Sequence, residues 1–169
     1  NGCTTTREVN ISQPANALSA SVFATTNVPC FGANTGSATV SATGGTGAYT
    51  YQWNTVPVQN SATASSLSVG TYTCTVRDVN NCSVQVVVTI TGPAAPLSAS
   101  IAAQTNVACF GANTGSVMLN VAGGTGLHAI SWNTTPVQNG ASVTGLVAGN
   151  YTATISDGNG CSMTVPVSI

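Results

Sequence analysis

The chain has 169 residues, of which only 2 are basic and 3 acidic, and its formal net charge is −1. Binding to nucleic acid or to acidic membranes needs clustered positive charge, so this composition excludes both as partners. No run approaches the roughly 18 apolar residues of a membrane span, and no membrane insertion is expected. Solubility must come from hydroxyl and amide side chains, which is typical of an extracellular structural protein.

From its first residues onward the chain is a repeat with a period of 79 positions. Trp53 recurs as Trp132 without any gap, and Cys3 lies 79 positions before Cys82. About 42 of the 79 aligned positions of the two copies are identical, and such fixed-period similarity is the signature of a repeat architecture. The predicted domains are the last strand of a preceding repeat at residues 1–11, a first repeat at 12–90 and a second repeat at 91–169.

Short strands separated by glycine-rich turns are predicted along each repeat. Apolar side chains alternate with hydroxyls in Ser37–Ala42 and again in Thr71–Val76, and Ser83–Ile90 is a β-branched run. Glycines such as those in Gly44–Gly47 supply the turns. No segment has helical periodicity. The strands are predicted at residues 18–26, 36–43, 48–54, 57–60, 63–67, 71–77 and 83–90, and again 79 positions later.

Two aromatic side chains in each repeat make the fold assignment more specific. Trp53 and Trp132 occupy the place of the core tryptophan on the third strand of an immunoglobulin-like sandwich, and Tyr72 and Tyr151 resemble its tyrosine corner. These four residues are the predicted structural core. The segment Ile90–Leu97 between the copies is short and contains two prolines, which restrict the backbone. We therefore predict an all-β chain of tandem immunoglobulin-like β-sandwich modules in an end-to-end array.

The cysteines follow the repeat and indicate an exported, oxidised protein. A pair that recurs in each copy predicts a bond that recurs, and the favoured pairing lies within each repeat because the shorter loop closes more readily. A standard sandwich would nevertheless place the two cysteines about a strand's length apart, so a bond between successive repeats, Cys30–Cys161, and free thiols both stay open. Metal binding is disfavoured by the spacing. The favoured disulfides are Cys30–Cys82 and Cys109–Cys161, with Cys74 as a buried thiol.

Ionisable side chains are too few to build an active site. His128 is the only histidine, and its equivalent in the first repeat is Tyr49, so a side chain at the rim of a strand is predicted. The carboxylates are Glu8, Asp78 and Asp157, and the two aspartates lie in equivalent turns of different repeats. A general base needs a nucleophile and an orienting group, which this set does not supply. We predict no enzyme and no catalytic, cofactor-binding or metal-binding residues.

The sequence pattern offers two other candidate binding sites. The turn that begins at Asp78 and the one that begins at Asp157 could offer calcium ligands, but one carboxylate per site is too little, and hairpin turns are the favoured interpretation. Tyr49, Tyr51 and Trp53 share one face of a strand and could stack on sugar rings. Their equivalents in the second copy include His128 and Ile130, so a stripe that faces the core and ends at a rim is favoured.

The repeat resembles a known family at a set of motifs spread over nearly the whole chain. These motifs are Asn27–Gly32, Gly36–Ser37, Gly44–Gly45, Tyr49–Trp53, Leu67, Gly70–Tyr72, Asp78 and Asn81–Cys82, with Cys109–Gly111, Trp132–Asn133, Leu146, Gly149–Tyr151 and Asp157–Cys161 in the second copy. With them the repeat resembles the SprB-type repeat of Bacteroidota gliding-motility cell-surface adhesins. Cys74, His128 and Ile130 depart from the pattern of that family.

The resemblance implies a function as well as a fold. It implies a giant secreted adhesin on the cell surface, of the kind exported by the type IX system and moved in gliding motility, with no enzyme activity and no cofactor. The expected partners are neighbouring repeats of the same chain, and surface polysaccharide or other cells are further candidates. The alternative from a different class is a carbohydrate-binding accessory module of a secreted enzyme. Close repetition favours the structural and adhesive stalk, which can gain avidity from many copies.

Overall fold

The structure is a computed structural model that describes residues 2–169, so Asn1 lies outside the described residues. Over the described part the chain contains strands and turns and no helix. The first repeat holds six strands: β1 (Ser19–Thr26), β2 (Gly36–Thr43), β3 (Thr50–Trp53), β4 (Thr63–Leu67), β5 (Gly70–Arg77) and β6 (Ser83–Ile90). The second repeats them as β7 (Ser98–Thr105), β8 (Gly115–Ala122), β9 (Ala129–Trp132), β10 (Ser142–Leu146), β11 (Asn150–Ser156) and β12 (Ser162–Ser168).

Each repeat divides its strands between two three-stranded sheets. The strand orders are β1-β2-β4 and β3-β5-β6 in the first repeat, and β7-β8-β10 and β9-β11-β12 in the second. In each repeat one sheet thus holds the first, second and fourth strands, and the other holds the third, fifth and sixth. This is the strand distribution of an immunoglobulin-like sandwich that lacks one edge strand. The predicted all-β, immunoglobulin-like fold is therefore confirmed for both repeats.

One predicted strand is wrong, because residues 57–60 form a loop. Pro57 has no N–H to give to a ladder. The backbone N–H of Gln59 donates instead to the hydroxyl of Thr55 at 3.1 Å, and the Gln59 side chain bonds both the N–H and the carbonyl of Ser65, each at 2.9 Å. Gln138 makes the equivalent bonds to Thr134 and Thr144 in the second repeat. One backbone bond to the third strand remains in each repeat, from the Trp53 N–H to the Gln59 carbonyl and from the Trp132 N–H to the Gln138 carbonyl, each at 2.9 Å. Side-chain bonds hold the rest of this segment as a loop.

Residues 2–11 contain no strand in this structure. An isolated segment has no neighbouring strand to satisfy its backbone groups, and a single strand is not stable alone. The assignment of residues 1–11 to a preceding repeat stays a prediction.

The chain clusters into two compact units whose limits differ from those of the repeats. The first unit runs to Thr25 and includes Ser37–Ser65 and Thr71–Thr89. The second unit, called unit 2 below, consists of Thr26–Gly36, Ser66–Gly70 and Ile90–Ile169. Two loops of the first repeat therefore belong to the same compact unit as the whole second repeat.

The core of the second repeat is built from both of its sheets. Trp132 is 1% exposed and pairs with Ala153 across β9 and β11. Its indole N–H donates to the carbonyl of Gly140 at 3.0 Å, which satisfies the one polar atom of this large side chain. The buried residues that pack together there are Val117, Leu119, Trp132, Val143, Leu146, Ala153, Ile155 and Val167.

The fourth strand of each repeat contains one residue with a positive φ. Ser66 has a φ of 55°, and its equivalent in the second repeat, Gly145, has a φ of 71° beside the register shift between β10 and β8. Glycine adopts this conformation without the steric cost that serine bears. We expect Ser66→Gly to stabilise the protein by about 0.5–1 kcal/mol and Gly145→Ser to destabilise it by a similar amount. Urea unfolding checks both, and equal midpoints for the two variants would contradict the argument.

Candidate functional site

The connection between β11 and β12 is a turn organised by one carboxylate. Asp157 is 7% exposed, and its Oδ1 accepts hydrogen bonds from the backbone N–H groups of Asn159 at 3.0 Å and Cys161 at 2.9 Å. Its Oδ2 accepts a third bond from the N–H of Thr125 at 2.9 Å. The Asp-Gly-Asn-Gly-Cys sequence thus folds around its own aspartate, which places Cys161 at the start of β12. We call Asp157–Cys161 the cysteine turn of the second repeat.

The first repeat has the same arrangement in Asp78–Cys82, its own cysteine turn. Asp78 is buried, and its Oδ1 accepts from the N–H groups of Asn80 at 3.0 Å and Cys82 at 2.9 Å, while Oδ2 accepts from Thr46 at 3.0 Å. The predicted hairpin-turn role accounts for both aspartates, because their oxygens are already occupied by N–H donors. Over residues 2–169 no group of three or more His, Cys, Asp or Glu side chains is placed to hold a metal ion.

The surroundings of Asp157 change its acidity. Burial alone would raise the pKa of Asp157, but the N–H groups of Thr125, Cys161 and Asn159 stabilise the carboxylate, and His128 adds a favourable charge interaction. The net result is a pKa below the ordinary value of 3.8. The carboxylate is therefore the form that the cysteine turn requires.

This lowered pKa predicts the acid sensitivity of unit 2. A carboxylate with a lower pKa in the folded than in the unfolded state stabilises the fold fully above the unfolded value, and that contribution is lost as the pH falls through the folded value. We expect the melting temperature to fall on acidification below pH 3.8. Asp157→Asn should lower the melting temperature at neutral pH and weaken this dependence. Calorimetry across this range checks it, and an unchanged pH profile in the variant would contradict it.

The structure contains one disulfide, and it joins Cys30 to Cys161 with a Cα–Cα distance of 5.7 Å. Cys82 and Cys109 are free and exposed. The favoured pairing within each repeat, Cys30–Cys82 and Cys109–Cys161, is therefore wrong, and the bond between successive repeats is the one that forms. Both bonded cysteines lie in unit 2.

The length of one strand explains why the pairing within a repeat fails. Gly115, where β8 begins, lies so close to Ile169 that an added Cβ would be 2.8 Å from the Ile169 side chain, and Cys109 lies in the loop before it. Cys161 precedes β12 at its other end. The seven residues of β12 span about 23 Å. A disulfide tolerates a Cα separation of roughly 4.4–6.8 Å, so the two cysteines of one repeat are too far apart.

The loop that carries Cys30 is fixed by further bonds inside unit 2. The side-chain amide of Asn159 donates to the carbonyl of Pro29 at 3.0 Å, directly before the bonded cysteine. The N–H of Val28 donates to the carbonyl of Thr91 at 2.9 Å, and the N–H of Thr91 donates to the Oδ1 of Asn27 at 3.0 Å. The disulfide therefore lies within a set of directional contacts. The bond to Asn159 was not predicted, although the asparagine recurs in both cysteine turns.

The residues considered for ligand binding have structural contacts instead. The Nε2 atom of His128 is 2.9 Å from the carbonyl oxygen of Gly123, and the hydroxyl of Tyr49 donates to the equivalent Gly44 carbonyl at 2.7 Å. Both side chains therefore anchor the double-glycine turn at the end of a strand. Trp53 is 1% exposed, with its indole N–H on the carbonyl of Ser61, so it offers no face to a sugar ring.

The remaining predicted core residues lie as follows. Tyr72 and Tyr151 are half-buried, and the hydroxyl of Tyr151 donates to the carbonyl of Val147 at 3.1 Å, four residues upstream, as in a tyrosine corner. Cys74 is a buried free thiol opposite Trp53 in the β3–β5 register, and burial raises its pKa above the ordinary value of 9.0 in spite of a backbone hydrogen bond at Gln52. Ala153 fills the equivalent position of the second repeat.

Two immunoglobulin-like sandwiches that follow one another in the chain, with a disulfide between cysteines of different repeats, define a repeat protein of immunoglobulin-like modules. The family model of the SprB repeat matches residues 22–58 and 101–136. Each repeat of the chain thus contains one segment that matches the SprB repeat, as the sequence motifs predict. Among the described residues no helix is long and apolar enough to cross a membrane. A search of curated proteins finds no match.

Three solved structures are similar to the chain at low identity. The three N-terminal domains of the bacteriophage RB49 Highly Immunogenic Outer Capsid protein share 19% identity over 90% of this chain, with a TM-score of 0.44. The N-terminal eight Ig domains of Down Syndrome Cell Adhesion Molecule share 13% over 93%, with a TM-score of 0.45. Dpr2 Ig1-Ig2 in complex with DIP-Theta Ig1-Ig3 gives 12% over 90% and a TM-score of 0.32. The chain spans 59%, 25% and 66% of those chains, respectively.

Proposed function

We propose that these repeats are stalk modules of a large secreted cell-surface adhesin or filament that serves surface attachment or gliding motility. The observation that carries the proposal is the Cys30–Cys161 bond, which ties one SprB repeat to the next covalently. The repeats are already joined by the peptide chain, and the disulfide adds a limit on how far that chain can extend when it is pulled. This property suits a stalk.

The side chains of the sandwiches support the same proposal. The chain has 3 acidic residues and 1 histidine, and the two aspartates among them are occupied in the cysteine turns. The carbohydrate-binding alternative requires an exposed aromatic platform that recurs in both copies. Trp53 and Trp132 are buried, and the Tyr49 hydroxyl is bonded to the Gly44 carbonyl. Tyr51 is replaced by Ile130 in the second copy, so the stripe does not form a platform that recurs in both copies.

Surface labelling and deletion test the proposal together. Antibodies against the purified chain should label intact cells of the source organism, and the label should disappear after brief treatment of the cells with protease. In-frame deletion of the coding segment should reduce attachment to glass or spreading on agar. Retention of the purified chain on a glycan array, combined with unimpaired attachment of the deletion strain, would instead favour the carbohydrate-binding alternative.

A further inference from the structure

The sequence spacing of the disulfide explains which of the cysteines that recur every 79 residues are bonded and which are free. Cys30 and Cys161 are separated by 131 residues. The position 131 residues after Cys109 lies beyond Ile169, and the positions 131 residues before Cys82 and Cys3 lie upstream of Asn1. These three cysteines are the exposed free thiols of the chain, whereas Cys74, which has no cysteine equivalent in the second repeat, is the buried one. At a spacing of 131 residues, the position that would pair with each exposed thiol therefore falls outside residues 1–169.

The cysteine turn of the first repeat presents Cys82 in the way that the second presents Cys161. In both turns the aspartate Oδ1 accepts from the cysteine N–H at 2.9 Å and from the asparagine N–H at 3.0 Å. Asn80 occupies the position of Asn159, whose side chain donates to the Pro29 carbonyl beside the formed disulfide. The first turn thus has the backbone geometry and the amide donor needed for a bond of the same kind.

The loop around Cys109 matches the loop around Cys30 in sequence but is more exposed. In the occupied loop Val28 is 2% exposed, bonds Thr91, and lies so close to Gly92 that an added Cβ would be 3.1 Å from the Val28 carbonyl oxygen. Its equivalent Val107 is only half-buried and lines an open hollow of about 460 Å³ with Cys109, Phe110 and Val147. Phe110 is 109% exposed, compared with 54% for the equivalent Phe31.

We propose that the free thiols of Cys82 and Cys109 are the two open ends of a disulfide ladder, in which the loop cysteine of each SprB repeat bonds the turn cysteine of the repeat that follows. The occupant of the hollow at Cys109 is the next repeat of the same chain, whose Gly-Pro segment and cysteine turn take the places that Gly92 and Asp157–Cys161 take beside Cys30. The occupied copy inside unit 2 argues for this occupant, because it shows the same loop covered by these segments.

Formation of each rung is a balanced two-electron oxidation. The sulfurs of two thiols form one S–S bond and release two protons, and the two electrons reduce a small-molecule or protein disulfide to two thiols. The inference goes beyond the proposed stalk function by fixing which cysteines join which repeats. It predicts an array in which each complete repeat is bonded to both neighbours.

The ladder is tested by supplying the missing neighbour. A second copy of residues 91–169 is appended after Ile169, and this copy carries Ala108→Ser and Ser162→Thr so that its two cysteine peptides differ in mass from those of Cys109 and Cys161. Cys3→Ser and Cys74→Ala remove two thiols that have no partner in this chain, since Ala153 already fills the Cys74 position in the second repeat. The chain is oxidised with glutathione disulfide and digested with pepsin, because two arginines and no lysine give trypsin few sites. We expect to recover two disulfide-linked peptides. One joins Cys30 to Cys161, and the other joins Cys109 to the turn cysteine of the appended copy.

The count of free thiols gives a second measurement that does not depend on peptide recovery. In denaturant the extended chain should have two reactive thiols, those of Cys82 and of the loop cysteine in the appended copy, and Cys109→Ser should raise the count to three. Recovery of Cys109 as an alkylated thiol, or of Cys109 bonded to Cys161, would overturn the ladder. These outcomes are separate from the attachment assay, so a failed ladder and a failed stalk function are distinguishable.

Discussion

Replacement of Trp132 by alanine is expected to destabilise the second repeat by about 3–5 kcal/mol. The side chain is 1% exposed, it contacts a buried cluster drawn from both sheets, and its loss leaves the Gly140 carbonyl without the indole donor. Repeat proteins couple mainly through neighbouring interfaces, so the first repeat should keep most of its own stability. The fluorescence of Trp53, the other tryptophan of the chain, then reports the first repeat alone.

Chemical denaturation followed by circular dichroism and by fluorescence measures this difference. The variant should show an early circular-dichroism transition and a later change in Trp53 fluorescence. Trp132→Phe is the matched control, since it keeps an aromatic ring in the core and should lie between the wild type and the alanine variant. An alanine variant with the wild-type unfolding midpoint would contradict the core assignment.

Loss of the Cys30–Cys161 disulfide is the second large effect, and we expect Cys30→Ser with Cys161→Ser to cost about 2–5 kcal/mol. The bond closes a loop of 131 residues. In the chain-entropy account a cross-link lowers the conformational entropy of the unfolded chain, and it does so more strongly when the loop is long. Addition of a reductant to the wild type should shift its urea midpoint to that of the double variant.

The repeat itself provides a matched control for the disulfide. Cys82→Ser with Cys109→Ser changes the same two residue types at the equivalent positions, where the thiols are free and exposed. Surface changes of this kind usually stay within about 0.5 kcal/mol, so this pair should leave the midpoint nearly unchanged. Equal losses in the two double variants would contradict the assignment of the bond.

Much of this fold can be predicted from local pattern, because buried positions alternate in strands and recur after 79 residues. Trp132 and Ile155 are examples, since their repeat equivalents are also large and apolar. The prediction of a strand fails at residues 57–60, because Val56, directly before this segment, and Val58 within it give the alternating apolar pattern of a strand. Val56 is 100% and Val58 53% exposed, and the segment is held by glutamine and threonine side chains that hydrophobic patterning does not detect.

The disulfide shows a different limit of sequence reasoning. Loop length favours the pairing within a repeat, whereas the standard sandwich layout places the two cysteines about a strand's length apart, and the path of β12 shows that the second argument decides the pairing. The asparagine bond to Pro29 depends in the same way on segments that are 130 residues apart in sequence. Such long-range contacts leave no periodic signal in one repeat. Their trace in the sequence is that Asp, Asn and Cys recur at the same positions of the two cysteine turns.

The stalk role depends on one mechanical property, namely that the chain cannot be drawn out fully while the disulfide is intact. Pulled from its two ends, an oxidised molecule can extend only the residues outside the bond, and the 131 residues between the cysteines stay enclosed. A fully extended chain gains about 3.3–3.6 Å per residue, so the enclosed length is about 450 Å.

Single-molecule force spectroscopy on the chain before and after reduction measures that length. The Cys30–Cys161 assignment predicts that reduction, or Cys30→Ser, increases the final extended length by about 450 Å. Cys82→Ser should leave it unchanged. The same final length in oxidised and reduced molecules would contradict the covalent connection between the repeats, and with it the observation on which the stalk function rests.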